Sequence, residues 1–374
     1  MKLNPMEIEI VRVVQKCDGV SRKALAGMTG HSQATITNIT KMLIERNYVV
    51  EGDRVSSGRG RKEVLLYLNP EKFKFLGLDI GGYRIRFALA DNLMRITHER
   101  EYLVDEFNEQ SDILESLLEK IEQFLIDSQW NPEELDGIGI AVTGIVDKER
   151  QRVVNIPNLN TWGELDIVSR LNDRFGCRVY LDESGRTMAL AEKAEGKAKD
   201  VEDFTVVHIA YGIVAGIMIN GQLLRGANNV GGLLGHVTVD ENAGRCMCGN
   251  YGCLENMVTY PRIESDYKEQ GGTFESIVEA YQVHDKIALD VCIASGNAIG
   301  IALSNVINLF NPSVIYLGGP VFEHLPIIFE ETKRTILLRA NRYAAVDMKL
   351  EQSSFGHKQG MIGALSLVRN ALIS

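Results

Sequence analysis

The 374-residue chain lacks low-complexity tracts, charge blocks and internal repeats, which sets aside disordered and solenoid architectures. Its apolar runs read as short of the ~18 to 20 residues that a membrane span requires. The opening MKLNPMEIEIVRVV has none of the basic, apolar and small-residue regions of a signal peptide. The expectation is a cytoplasmic protein with no membrane partner. Cysteine is scarce, with 6 in all, and Cys246, Cys248 and Cys253 stand close together. In a reducing compartment that crowding suggests metal ligands sooner than disulfides. Cys17, Cys177 and Cys292 stand apart and read as buried small apolar residues. Positive charge is also short: 40 Lys and Arg face 50 Asp and Glu, a net charge of −10, which as a whole-chain average argues against nucleic acid.

The average hides an asymmetry. Residues 1–72 hold 12 Lys or Arg against 8 Asp or Glu, so this stretch carries +4 and the remainder −14. A basic head on an acidic body suits a DNA-reading module attached to a domain with another task. The hydrophobic fraction of 45% and the charged fraction of 24% are those of an ordinary globular protein, and the length calls for two or three folding units.

In the head, Ile10, Val11 and Val14 mark one face of a helix that ends at Asp18-Gly19. Ser21 caps a short second helix over 22–28, which stops at Gly30. Ser32 then offers its hydroxyl to a third helix whose inward face is Ile36, Ile39 and Leu43. The outward face is Gln33, Thr35, Thr37, Asn38 and Lys41. Short polar side chains near a helix N-terminus, followed by a lysine, suit base edges and phosphates in a major groove. Two strands, 48–51 and 64–68, flank a Gly- and Arg-rich segment in which Arg59, Arg61 and Lys62 stand ready for phosphates or a minor groove. The pattern predicts a winged helix-turn-helix over 1–72 with a double-stranded DNA operator as partner. A three-helix protein-interaction module with a solvated polar face is the alternative.

From Phe75 the pattern changes to strand, glycine turn, strand in FLGLDIGGYRIRFALAD. Further alternation follows: a helix over 113–128, strands over 137–142 and 178–181, a helix over 187–195, and two strands within 204–220. This is an α/β body, 73–374, of two lobes. The ordered set DIGG, GIGIAVTG, PNLNTW, ALAE, GQLLRGANN, GH, CMCGNYGCLE and NPSVIYLGG resembles the ROK family of repressors and sugar kinases over essentially the whole chain. With the helix-turn-helix in front, it resembles that family's repressor branch. The resemblance implies an actin-like, sugar-kinase-like effector body, a homodimer or homotetramer, and carbohydrate-related target genes.

His236, Cys246, Cys248 and Cys253 form H-x9-C-x-C-x4-C, a closed tetrahedral ligand set of the structural kind. The resemblance implies that the metal is zinc. A redox-active or merely buried cysteine cluster is the other reading.

A sugar kinase needs a carboxylate to take the proton of the attacking hydroxyl and small glycine-rich turns around the ATP phosphates. The family's N-D-A-N stretch aligns, counting back from Glu192, with Glu183, Ser184, Gly185 and Arg186. Ser184 then stands where the base belongs, although a slip of one or two residues brings Glu183 or Asp182 there. Tyr83 replaces the threonine of D-x-G-G-T-K, Tyr211 lies in the second turn, and Leu233 replaces the glutamate of E-x-G-H. What the resemblance leaves as ligand-binding residues is Asn158, Glu183, His236 and Glu255. The expectation is a regulator with no catalytic residues and with altered or absent monosaccharide binding. It would answer to a sugar, a sugar derivative or a protein; the alternatives are an active ATP-dependent sugar kinase and a regulator that senses a protein or a non-sugar ligand.

Overall fold

Asn4 starts the first helix, Pro5–Lys16: its side chain accepts from the Glu7 amide, and the Glu7 carboxylate accepts from the Asn4 amide at 2.8 Å. The structure is a computed structural model that describes residues 3–55, 62–108, 112–147, 149, 151–156 and 162–373. Arg59, Arg61 and Asn158 lie outside the described residues. The second helix, Arg22–Thr29, is capped by Ser21 and closed by Gly30 at φ 73°. The third, Gln33–Glu45, is capped by Ser32 and buries Ile36, Ile39 and Leu43, as the periodicity predicts.

The strands Val49–Val55 and Glu63–Leu68 pair antiparallel to form the wing. The first runs four residues further than expected, through Gly52-Asp53-Arg54, because ladder pairing to Val64 and Glu63 outweighs local turn preference. Gly52 lies under the Tyr67 ring, which a β-carbon there would meet at 2.5 Å. A two-residue strand, Val20–Ser21, pairs with Leu66 and Leu65 on the other side, an edge too short for periodicity to reveal. The head's apolar core, with Ile10, Leu25, Leu43 and Leu66, is continuous with Phe75, Ala88, Leu365 and Val368 of the body.

The body holds two five-stranded sheets of one topology. In the first, Lys74–Ile80, Arg84–Asp91 and Ile96–Leu103 form an antiparallel meander, and Gly137–Val142 and Arg178–Glu183 add in parallel on the other side of Lys74–Ile80. In the second, Phe204–Ile209, Ile213–Ile219 and Gln222–Leu223 form the meander, and Val314–Gly318 and Lys349–Gln352 add in parallel. The helices Ser184–Ala194 and Gln359–Ile373 fill the space between the sheets. Each rests on a glycine: a β-carbon on Gly216 would lie 2.0 Å from the Gly185 carbonyl oxygen, and one on Gly139 would lie 1.9 Å from that of Ala364. Close backbone approach of this kind only glycine allows.

Two sequence expectations need correction. The helix Lys286–Phe310 is long and apolar enough to cross a membrane by length and composition, although no such run was expected. Its Val291, Cys292, Ile299, Leu303 and Ile307 are buried in the core of the second lobe; interspersed Asn, Ser and Gly masked the run. Cys17 is only half-buried, at the open end of the first helix, whereas Cys177 and Cys292 are buried as expected.

Candidate functional site

Three sites follow from the fold. On the head, Gln33, Thr37, Asn38 and Lys41 project into solvent from the third helix, and Ser32 is exposed at its start. Thr35, expected on the same face, is half-buried: its amide donates to Ser32 Oγ at 3.1 Å and the two hydroxyls lie 2.9 Å apart, so capping occupies both. Thr37 Oγ1 donates to the Gln33 carbonyl at 2.7 Å. Lys41 faces Glu45 one turn on, at 3.9 Å and with both side chains exposed, a pairing too weak to withhold it from a phosphate. Lys62 is exposed at the foot of the wing.

The second site is the loop of the second lobe. The Nδ1 of His236 lies 3.8 Å from Cys246 Sγ, the thiols of Cys248 and Cys253 are 3.6 Å apart, and the four ligand atoms all lie within 4.8 Å of one another. A tetrahedron of ~2.3 Å metal–sulfur bonds has edges of about 3.8 Å, so this Cys3His cluster has the size of a zinc site and could hold a metal ion. Gly249 and Gly252, at φ 95° and 71°, turn the loop in a conformation that L side chains rarely adopt. Asn250 Nδ2 points to Cys253 Sγ at 3.6 Å, support of the kind that holds a thiolate ligand in place.

The third site is the cleft between the lobes, a cavity of about 400 Å³. Tyr83 and Tyr211, one from each glycine turn, stack across it with centroids 4.3 Å apart and planes at 17°. Each is 39% exposed. Beneath them Arg86 Nη1 donates to Asp79 at 3.3 Å and its Nε to Glu101 at 2.6 Å. Burial raises the Asp79 carboxyl above its ordinary range, partly offset by Arg86. His208 also lines the cavity; the surrounding protein strips its ring of water and lowers it to about 4, so it is neutral at pH 7.

At the position that the family resemblance aligns with a kinase's base, the hydroxyl of Ser184 is buried 3.2 Å from Thr143 Oγ1. The neighbouring carboxylates are engaged as well. Glu183 caps the helix that Ser184 begins, accepting from the amides of Gly185 at 2.8 Å and Arg186 at 3.1 Å. That helix starts three residues before its expected beginning because Glu183 supplies the cap. Although half-buried, the Glu183 carboxyl sits among protein atoms that exclude water, and it is raised to about 7 with Arg186 opposing. Asp182 accepts from Arg186 Nε and Arg225 Nη2, both at 2.7 Å. Of the other expected ligand residues, Glu255 accepts from the Ile213 amide at 3.0 Å and His236 turns Nδ1 to the cysteines; neither they nor Glu183 line the cavity, and Leu233, which replaces the family's glutamate, stands 51% exposed.

Residues 75–371 match the ROK family, and residues 3–50 match the winged helix-turn-helix DNA-binding family. The chain belongs to the ROK family. It is 28% identical over 361 residues to the xylose repressor of Bacillus subtilis, covering 96% of this chain and 93% of that protein. It is 28% identical over 379 residues to the DNA-binding transcriptional dual regulator NagC of Escherichia coli, covering 98% and 92%. Among solved structures it is similar to a ROK family transcriptional regulator, a homolog of the E. coli MLC protein, with 29% identity, a TM-score of 0.82 and coverage of 98% and 96%. A ROK family glucokinase from Streptomyces griseus shares the fold at 21% identity and a TM-score of 0.68, over 78% of this chain and 97% of its own.

Sequence reasoning missed the roles of Arg186 and Arg225. A fully buried arginine within the otherwise small and apolar run GRTMALAE is the signal that marks Arg186. It also missed the junction between head and body, where Gln15 Nε2 donates to Glu195 at 3.4 Å, Lys16 lies 3.7 Å from Asp200, and the buried Arg369 pairs with Glu195.

Proposed function

We propose that this ROK-family chain is a DNA-binding transcriptional regulator, a repressor of carbohydrate-related genes, whose body no longer transfers phosphate. The observation that carries the reading is the union, along one continuous apolar core, of a winged helix-turn-helix head with a body whose two phosphate turns are closed by stacked tyrosines. The names of relatives that align with almost the whole chain, a xylose repressor and a DNA-binding transcriptional dual regulator, support it. We divide the chain into a head, 1–72, and a two-lobed body, 73–374, acting in the cytoplasm.

On this reading Ser32, Gln33, Thr35, Thr37, Asn38 and Lys41 meet an operator, with Arg59 and Arg61 reaching its backbone or minor groove. His236, Cys246, Cys248 and Cys253 hold a structural zinc, which supplies no chemistry and leaves no ligand position for water. Glu183, His236, Glu255 and Asn158 bound the effector cleft. The bodies associate as a homodimer or homotetramer, so that two recognition helices meet a pseudo-palindrome roughly 34 to 36 Å apart or at a multiple of that. An effector that favours one lobe arrangement shifts the heads through the Glu195–Gln15 junction, as linkage requires.

Selection from a random DNA pool with the full zinc-loaded chain tests this. The expected product is a two-fold symmetric site bound with a steep salt dependence, while the same preparation shows no ATP turnover with glucose, xylose or N-acetylglucosamine. Enrichment of no sequence, or sugar-dependent ATP hydrolysis, would overturn the reading.

A further inference from the structure

We propose that Arg369, acting through Glu195, is a positioning residue for operator recognition: the pair fixes the angle at which the head leaves the body and so sets the spacing between half-sites that two paired heads accept. The proposal rests on the reading of the chain as a regulator whose heads bind in pairs, and it adds the residues that set their separation.

Head and body are joined first by an apolar core that runs from Ile10, Leu25 and Leu66 into Leu365 and Val368. Apolar burial is non-directional, so it holds the two together without choosing one orientation. Orientation has to come from directional bonds, and these gather at two points. At the linker, the Asn92 amide donates to the Pro70 carbonyl at 3.2 Å and its Nδ2 to the Asn69 carbonyl at 2.9 Å. At the end of the first helix, Gln15 Nε2 donates to Glu195 Oε1 at 3.4 Å, and Lys16 Nζ lies 3.4 Å from the Lys199 carbonyl and 3.7 Å from Asp200. The linker, where the chain passes from head to body, is a pivot. The second point fixes the turn about it.

At that second point Glu195 is the anchored acceptor. The Lys16 and Asp200 side chains are 50% and 93% exposed, a pair that water screens. Glu195 stands at the C-terminal end of the helix Ser184–Ala194, where the helix dipole opposes a carboxylate. Arg369, on the helix Gln359–Ile373 and 1% exposed, offsets this: its Nη2 donates to the same Oε1 that accepts from Gln15. Among the described residues Arg369 Nε is buried with no hydrogen-bond partner, so loss of Glu195 would leave a buried charge still less satisfied. Each group of the pair depends on the other, and the head reads their position through Gln15.

The far ends of the same two helices reach the cleft. Met188 and Gly360 line its cavity, and Gln359 Oε1 lies 3.4 Å from His208 Nδ1. The helices pack too closely to slide independently, since a β-carbon on Gly363 would lie 2.9 Å from the Thr187 carbonyl carbon. A change in the cleft therefore arrives at Arg369 and Glu195, where it becomes a change in head spacing.

The test binds the full zinc-loaded chain to a DNA library in which two copies of its selected half-site are separated by spacers covering about two helical turns. The unaltered protein is expected to favour one spacing. Two variants are compared with it: Gln15→Ala, and Arg369→Met combined with Glu195→Gln, which removes both charges so that neither stays buried alone. Both are expected to keep the half-site sequence and to lose roughly fivefold or more of the discrimination against spacers half a turn away. A spacing preference unchanged in both variants overturns the proposal. So does loss of half-site sequence preference together with spacing, because the pair then only supports the fold of the head. Should the double variant fail to fold by circular dichroism, Gln15→Ala decides, since it removes no charge. If the unaltered protein selects no paired half-sites, the reading of paired heads falls and this proposal with it, whereas paired selection with variants of unaltered spacing removes the proposal alone.

Discussion

The metal loop of the second lobe and the cleft between the lobes stand in contrast when set against the family pattern. In the loop all four ligand positions hold the residues that a closed tetrahedral site demands, at distances a metal would need. In the cleft, Ser184, Tyr83, Tyr211 and Leu233 depart from the pattern that the family resemblance implies for a kinase, and the two tyrosine rings stack while two arginines share Asp182 nearby. A site that holds a fold together is required whatever the protein does. A site that carries out a reaction is required only while the reaction is, and its residues are then free to become packing, switches or new ligand contacts.

The largest effect should come from the loop. Cys248→Ser is expected to lower bound zinc, measured by atomic emission, well below one equivalent, and to destabilise the loop by several kcal/mol, read by thermal unfolding. Full zinc content in that variant would mean that the cluster is not a closed metal site. Next is Gly216→Ala, which drives a methyl group to 2.0 Å from the Gly185 carbonyl and pushes the helix Ser184–Ala194 off its sheet. A loss of about 1 to 3 kcal/mol in urea unfolding is expected. Unchanged stability would show that the lobe and the cleft helix are less tightly joined than their contact implies.

On the head, Asn38→Ala is expected to cost about 1 to 3 kcal/mol of operator affinity and to relax sequence preference, while Lys41→Ala weakens all sequences alike and flattens the salt slope. Equal losses on operator and random DNA for Asn38→Ala would remove it from base reading.

A smaller effect separates two cleft residues by sign. Glu183, raised from 4.5 to about 7, keeps its proton more readily in the fold, so its contribution is full below pH 4.5 and is lost as pH rises toward 7. His208, lowered from 6.5 to about 4, resists protonation in the fold, so its contribution is full above pH 6.5 and is lost as pH falls toward 4. Between pH 4.5 and 6.5 the two oppose each other. Glu183→Gln should therefore make stability rise more steeply with pH in that window, and His208→Gln should flatten or reverse the rise, both read from urea midpoints. The smallest expected effect is none: Ser184→Asp alone should yield no sugar phosphorylation, because Tyr83 and Tyr211 still close the turns. Measurable turnover would show that the cleft differs from a kinase by one residue only.

Much of the head was legible in the sequence because its signals are local. Ser21, Gly30 and Ser32 stop and start helices by bonding or bending within four residues, and Ile36, Ile39 and Leu43 mark a face by spacing. The Val20–Ser21 strand was not legible, since its only reason to be extended is the distant Leu65 and Leu66. In the body, substitution at Ser184, Tyr83 and Tyr211 could be read one position at a time. That the two tyrosines meet face to face, and that Asp182 is shared by two arginines, could not.

Residue identity and spacing by themselves determined the Cys3His cluster that could hold a metal, the Ser21 and Ser32 helix caps, the alternation of strands and helices and the serine at 184. These depend on chemistry within a few residues along the chain. The tertiary structure alone decided which distant groups meet: Tyr83 with Tyr211, Arg186 with Arg225, Gln15 with Glu195. Burial sets the strength of a charge and the cost of an unpaired donor, and burial is a property of what two sheets bring together rather than of any segment within them.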